Sequence, residues 1–272
     1  MKIKRVLTTG LMLFLLIACT TNPFTGKQTL ALVPNSQILP MAFQQYNQFL
    51  SENKVVKGTA DANRINNVGQ KIATASERWL NANGYQGYLS EYQWEFNLVE
   101  DEAVNAWCMP GGKIVFYTGI LPVANSEARI AAIMGHEVAH ALANHGQQRM
   151  SAGQLQQLGA VAGNVALAND PEYQAIFNTA YGVGTTVGVM MPFSRNHETE
   201  ADRIGLILMA MAGYDPVEAA ELWKRMQEQG GAAPPEFLST HPSSTTRINN
   251  ILSWVDESKA EARKFGVTTF KK

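Results

Sequence analysis

The stretch from Gly135 to His145, GHEVAHALANH, sets two histidines and a glutamate into a helix that is otherwise almost wholly apolar, with a third histidine at its end. Ionisable side chains are costly in such surroundings unless a metal, a charge or hydrogen bonds compensate them. At about 3.6 residues per turn, Ile130, Met134, Val138, Ala141 and Leu142 share one side, and Ala131, Ala132, Gly135, Ala139 and Ala143 the other. One side brings bulk and the other admits a close neighbour. The helix, read from Glu127 to Met150, is therefore expected inside the protein on both flanks. His136 and His140, four apart, project together at the border, which lets two imidazoles hold one metal ion. Glu137 between them is placed to act as a base on a water at that metal.

The 272 residues suit one large domain or two small ones, and a hydrophobic content of 46% supports a well-packed core. A net charge of -1, with no block of like charges, gives no footprint for nucleic acid, which is excluded as a partner. Residues 1–18 read differently. Lys2, Lys4 and Arg5 precede an apolar run, GLMLFLLIAC, that is too short for a permanent span and reads as a secretory signal. Its end, Leu16-Ile17-Ala18-Cys19, resembles the bacterial lipobox. That likeness implies cleavage before Cys19, a diacylglyceryl thioether on its thiol and a further acyl chain on the new amino group, enough to anchor the chain in a membrane. Thr20 in place of an Asp points, within the same likeness, to the outer membrane. Cys108 is then the sole remaining cysteine, so no intramolecular disulfide is expected, and beside Trp107 and Met109 it reads as a small core filler.

Residues 19–40, rich in Pro, Thr, Asn and Gly, read as lipid anchor and tether, and 41–272 as a single domain. Apolar spacing predicts helices over Ile38–Leu50 and Ile65–Trp79. The clear sheet signal lies in YQWEFNLVEDEAVNAWCMPGGKIVFYTGIL, where Pro110-Gly111-Gly112 marks a turn between two strands. Leu155–Pro192 is rich in Gly, Ala and Val but broken at Asn169–Glu172, which predicts two short helices or a hairpin instead of a membrane span. The last third is helical again, interrupted by HPSS at 241–244, with Ile248, Ile251, Leu252 and Val255 as an apolar face. The fold class is α+β, mainly helical, with a small sheet beside the active-site helix.

A hydrolytic zinc site usually takes three protein ligands. The metzincin spacing needs a histidine at 146, which is Gly146, with His145 one residue short, so that subclass is excluded. Downstream, SRNHETEADRIG places Glu198 and Asp202 four apart on one helical face. Glu198 can coordinate, while Asp202 can orient a ligand histidine through its other ring nitrogen. His197 and Glu200 compete for the same place, and acids at a solvated helix start would give a similar pattern.

These residues resemble the CAAX-prenyl-endopeptidase/HtpX-like zinc metallopeptidases, a gluzincin family. The likeness runs over most of the chain after the anchor, through NPFTGKQTLALV, NAWCMPGGKIVFYTGIL, HEVAH, SRNHETEADRIG and STHPSSTTR. It implies a zincin-like domain with one Zn²⁺ held by His136, His140 and Glu198, Asp202 behind them, and Glu137 as the base. His241, set on a loop by Pro242, is implied to approach the metal, either steadying an oxyanion or closing the open position. Arg247 is implied to orient that loop or the oxyanion. The strand from Asn105 and Ala106 to the turn at Pro110, Gly111 and Gly112 would bind an extended substrate by strand addition, an ordinary hairpin being the alternative. The likeness to soluble periplasmic members implies unfolded or misassembled envelope proteins as substrates and outer-membrane assembly machinery as a partner. A zinc-stabilised, chaperone-like binding protein with a closed site is the competing expectation.

Overall fold

The computed structural model describes residues 19–186, 190–229 and 236–272; the expected signal segment 1–18 lies outside the described residues. In chain order the strands and helices are β1 (Cys19–Thr21), β2 (Gln28–Leu30), α1 (Asn35–Glu52), β3 (Val55–Val56), α2 (Ala60–Ala82), β4 (Glu95–Val99), β5 (Ala106–Met109) and β6 (Lys113–Tyr117). They continue as α3 (Glu127–Leu142), α4 (His145–Ala166), α5 (Pro171–Thr185), α6 (Met191–Met211), α7 (Val217–Glu228), α8 (Glu236–Thr240) and α9 (Thr245–Lys264). The fold is the expected mainly helical α+β class. Its residues group into two compact units, one of Leu39–Ala143 with Glu198–Lys272, the other of Asn144–His197 with the described residues up to Ile38.

In the larger unit, Thr59 caps α2 by accepting from the Ala62 N–H, and Ile65, Val68, Ile72, Trp79 and Leu80 form its buried stripe. The sheet runs β3-β4-β6-β5, with β4 parallel to β6 and β5 antiparallel to β6 at the edge. Gly111 and Gly112 take φ of +84° and +83° in the β5–β6 turn, a region that favours glycine. A Cβ on Gly111 would stand 2.4 Å from the Phe43 ring, and one on Gly112 2.5 Å from the Trp94 ring. Both glycines are buried under these rings. Their positive φ and the covering rings fit them to the tight turn that joins β5 to β6.

Ser126 caps α3, accepting from the Arg129 N–H, and every residue from Ile130 to Leu142 is buried. The helix packs against α2, α7 and β5. At its C-terminal end Tyr88 and Tyr92 donate to the carbonyls of Leu142 and Ala141, at 2.8 and 3.2 Å, satisfying last-turn acceptors. The expected continuous helix to Met150 is in fact two. Asn144 adopts the left-handed conformation, φ 57°, and α4 starts afresh at His145. Asparagine tolerates that conformation better than most residues, and periodicity alone does not register it.

The small side of α3 has a specific use. A Cβ on Gly135 would lie 2.7 Å from the Gly205 carbonyl oxygen, and one on Gly205 2.9 Å from the His136 nitrogen. The backbones of α3 and α6 thus cross at two glycines, closer than any side chain allows. Gly135→Ala is expected to destabilise the protein by about 1–3 kcal/mol, since backbone must move to admit the methyl. Chemical unfolding checks this, and an unchanged midpoint would refute the close crossing.

In the smaller unit, β1 and β2 form an antiparallel hairpin in which Cys19 pairs with Leu30. The Leu32 N–H donates to Ser151 Oγ at 3.0 Å, and Gln147 Nε2 donates to the Val33 carbonyl at 2.6 Å. The segment expected as a tether is folded from Cys19 onward, and α1 begins ahead of residue 40 with Pro40 inside it. The helices α4 and α5 form a hairpin. Asp170 accepts from the Tyr173 N–H and Pro171 occupies the first turn, so the polar break breaks the helix as expected. Among the described residues, no helix is long and apolar enough to cross a membrane.

Candidate metallopeptidase site

Four elements of the larger unit converge. Helix α3 supplies His136, Glu137 and His140; α6 supplies Glu198 and Asp202 one turn apart; the loop after α8 supplies His241; and the first turn of α9 supplies Arg247. All are buried except His241, which is half-buried. The ligand atoms of His136, His140, Glu198 and His241 lie within 4.8 Å of one another.

The distances within this cluster suit an ion. His136 Nε2 is 3.1 Å from His140 Nε2 and 3.3 Å from Glu198 Oε2, and His140 Nε2 is 3.2 Å from Glu198 Oε1. Ligands about 2.0–2.1 Å from a tetrahedral zinc stand roughly 3.3 Å apart, so the donor set fits that ion in chemistry and spacing. Asp202 Oδ1 lies 2.9 Å from His136 Nδ1, which turns Nε2 of the same ring towards the cluster. His241 Nδ1 approaches Glu198 Oε2 at 2.8 Å and His136 Nε2 at 3.1 Å, while its Nε2 is 3.3 Å from Glu137 Oε1.

Arg247 ties the parts together. Its Nε and Nη2 donate to the two carboxylate oxygens of Asp202 at 2.7 and 2.6 Å, its Nη1 donates to the Pro242 carbonyl at 3.1 Å, and its Nη2 stands 3.4 Å from Glu198 Oε2. The guanidinium lies 3.6 Å over the Trp223 ring. Trp223 stacks on Phe237 at 5.7 Å, and Phe237 packs on the His241 ring at 4.6 Å. Neither aromatic was singled out by the sequence; Trp223 sits in an ordinary amphipathic helix, and only its position after folding reveals it.

Burial raises the cost of charge on Glu198, yet hydrogen bonds from His136, His140 and His241 hold its pKa well below the carboxylate range. Burial likewise opposes charge on Asp202, and the Arg247 guanidinium and the His136 ring together outweigh it, lowering the pKa. Burial works against a charged His136, but Asp202 and Glu198 raise it to about 9. In a chain stripped of metal, that proton favours folding at low pH, and the contribution is lost as pH rises through about 9. An incoming ion must displace it. Metal affinity is thus expected to climb about tenfold per pH unit and flatten near 9, with proton release. Competition titrations with a chelator would read this, and an affinity flat between neutrality and 9 would contradict it.

His145 and His197 stack on each other at 4.0 Å in the smaller unit, with His197 Nε2 3.1 Å from Gln148 Oε1. Neither they nor Glu200 belong to the donor cluster, which leaves Glu198 as the carboxylate among the donors. Cys108 lies half-buried on β5, and burial together with the Glu137 charge pushes its thiol pKa well up, as suits an inert filler. Asn105 turns its side chain to the Ala106 N–H, and its carbonyl accepts from Tyr117. Ala106 is buried, and β5 beyond it to Met109 is the sheet edge nearest in sequence to the turn at Pro110.

Two histidines one helical turn apart, a glutamate between them and a second glutamate from a crossing helix define a metallopeptidase centre of the gluzincin type. Residues 60–255 match the family model for Peptidase family M48, and the chain belongs to that family. It is 35% identical over 175 residues to the mitochondrial metalloendopeptidase OMA1 of Schizosaccharomyces pombe, covering 64% of this chain and 50% of that protein. The Saccharomyces cerevisiae OMA1 is 35% identical over 201 residues, 71% of this chain and 55% of the relative. The beta-barrel assembly-enhancing protease of Escherichia coli is 28% identical over 159 residues, 56% of this chain and 32% of the relative. The chain thus spans from 32% to 55% of the length of these curated relatives.

Proposed function

We propose that this chain is a zinc-dependent endopeptidase anchored in the bacterial envelope through acylated Cys19, hydrolysing misfolded or unassembled periplasmic and outer-membrane proteins. The convergence of His136, His140 and Glu198 around one position, with Glu137 on the same helical turn, carries this reading. Bound there, zinc supplies a Lewis acid and lowers the pKa of water at the site. Glu137 takes the proton of the attacking water on its carboxylate and returns it to the departing amine. Asp202 keeps the His136 ring oriented, and Arg247 holds Asp202 and the loop that carries His241. The edge strand β5 offers main-chain pairing to an extended segment, which favours unfolded substrates over a defined sequence.

The envelope placement draws support from the lipobox resemblance, from the exposure of Cys19 and from the likeness to a bacterial protease named for beta-barrel assembly. The outer-membrane assembly machinery is the partner this reading proposes. A second reading, a zinc-stabilised chaperone-like factor with a latent site, is favoured by one observation: His241 Nδ1 already stands among the donors as a fourth.

The zinc-loaded full chain and its His241→Ala form, incubated with an unfolded β-barrel protein, separate the two. Cleavage by the wild type that stops on chelation supports the peptidase; cleavage only after His241→Ala supports the latent form. Silence from both with zinc retained removes the hydrolase reading. Equal zinc affinity and equal proteolysis in the two forms would deny His241 any role.

A further inference from the structure

The hairpin of α4 and α5 carries an apolar surface that nothing in its own unit covers. Leu158 and Val165 on α4 are 64% and 71% exposed, and Ile176 and Val183 on α5 are 58% and 61% exposed. Isolated exposed apolar residues are common on soluble proteins, whereas a contiguous set marks an interaction site. At about 100° per residue, Leu155, Ala162 and Ala166 line one stripe of α4 flanked by Leu158 and Val165, while Gln157 and Asn164 lie opposite. On α5, Tyr173 and Ala180 share a stripe flanked by Ile176 and Val183, with Asn178 opposite.

Asn164 and Asn178 hydrogen-bond to each other, at 2.8 and 3.0 Å, so the polar sides of the two helices adjoin. The apolar sides therefore adjoin as well. The hairpin as a whole is amphipathic, with one polar broad face and an opposite apolar face that runs onto both flanks.

We infer that this face rests on a lipid bilayer, lying in the interface without crossing it. The inference rests on the lipid anchor proposed at Cys19, which brings the membrane to this unit. Cys19 is exposed in β1, and the chain that follows is bonded to the root of α4 through Ser151 and Gln147. The residues preceding Cys19 are the apolar run that ends at the acylation motif. A bilayer holding those acyl chains lies within reach of the hairpin.

The charge pattern narrows the lipid chemistry. Between Arg149 and Arg195 the chain has no Lys or Arg, and its charges there are Asp170 and Glu172. Attraction to anionic headgroups is thus absent, and burial of apolar side chains about 5–10 Å into the headgroup boundary supplies the adhesion. Zwitterionic lipid suffices, and added salt leaves the contact in place. Such a contact would hold the hairpin flat, with its Asn164–Asn178 side towards water.

The test places a photoreactive p-benzoylphenylalanine at Val165 in the full chain, bound to phosphatidylcholine vesicles, with the same substitution at Gln157 as comparison. Irradiation is expected to shift the mass of the Val165 peptide by one phospholipid, a shift lost at Gln157. Adducts instead to a second copy of the chain, to another protein, or to nothing at Val165 would overturn the proposal, as would equal lipid adducts at both positions. The acyl mass on the Cys19 peptide, read in the same samples, tests the anchor separately. Acylation without the Val165 adduct sinks the hairpin contact alone, and the adduct without acylation sinks the anchor alone.

Discussion

Arg247→Ala is expected to destabilise the protein by about 3–5 kcal/mol, the usual effect of leaving a buried charge without its partner. Asp202 is 6% exposed and receives two of the guanidinium's hydrogen bonds, so its carboxylate would be left with the His136 ring alone. The same substitution frees the Pro242 carbonyl beside His241 and removes the cation stacked on Trp223. Because Asp202 orients His136, metal affinity should fall by about 10–100-fold as well. Arg247→Lys should recover little, since an ammonium cannot bridge both oxygens of Asp202 while facing Trp223. Acid stability adds a directional check. The depressed pKa of Asp202 contributes stability above the ordinary carboxylate value, lost as pH falls through the lowered one. Without Arg247 that loss moves to higher pH. Urea titrations of both variants across pH measure all of this, and a loss below about 1 kcal/mol at neutral pH would mean the pair is of surface character.

The parts of this molecule that were legible in the sequence are those governed by local spacing. The pairing of His136 with His140, and of Glu198 with Asp202, follows from helical periodicity, and the break at Asn169–Glu172 from turn chemistry. The third ligand was not settled by residues alone, because His197 and Glu200 flank Glu198 within one helical turn; the resemblance favoured Glu198, and folding puts it among the donors. The helix break at Asn144 was missed because a single left-handed residue leaves the apolar pattern intact. The turn at Gly111 and Gly112 was recognised, but the rings of Phe43 and Trp94 that cover it come from elsewhere in the chain. The floor of Trp223 and Phe237 was equally invisible, since stacking on Arg247 and His241 depends on long-range packing. Gly135 appeared as one member of a small-residue side, and only the crossing with Gly205 shows why glycine itself is required.

Glu137→Gln is the most direct test that the cluster is a hydrolytic centre. Glu137 is 4% exposed on the turn between His136 and His140, and its carboxylate is absent from the donor set. The amide keeps the shape and the packing but accepts no proton, so general-base assistance of about 10²–10⁴-fold should vanish. The full chain and its Glu137→Gln form, zinc-loaded, are compared for zinc content and for cleavage of an unfolded protein. Unchanged zinc with cleavage reduced by about 100-fold or more is the predicted result. Undiminished cleavage by the variant, or loss of zinc with the carboxylate, would contradict it.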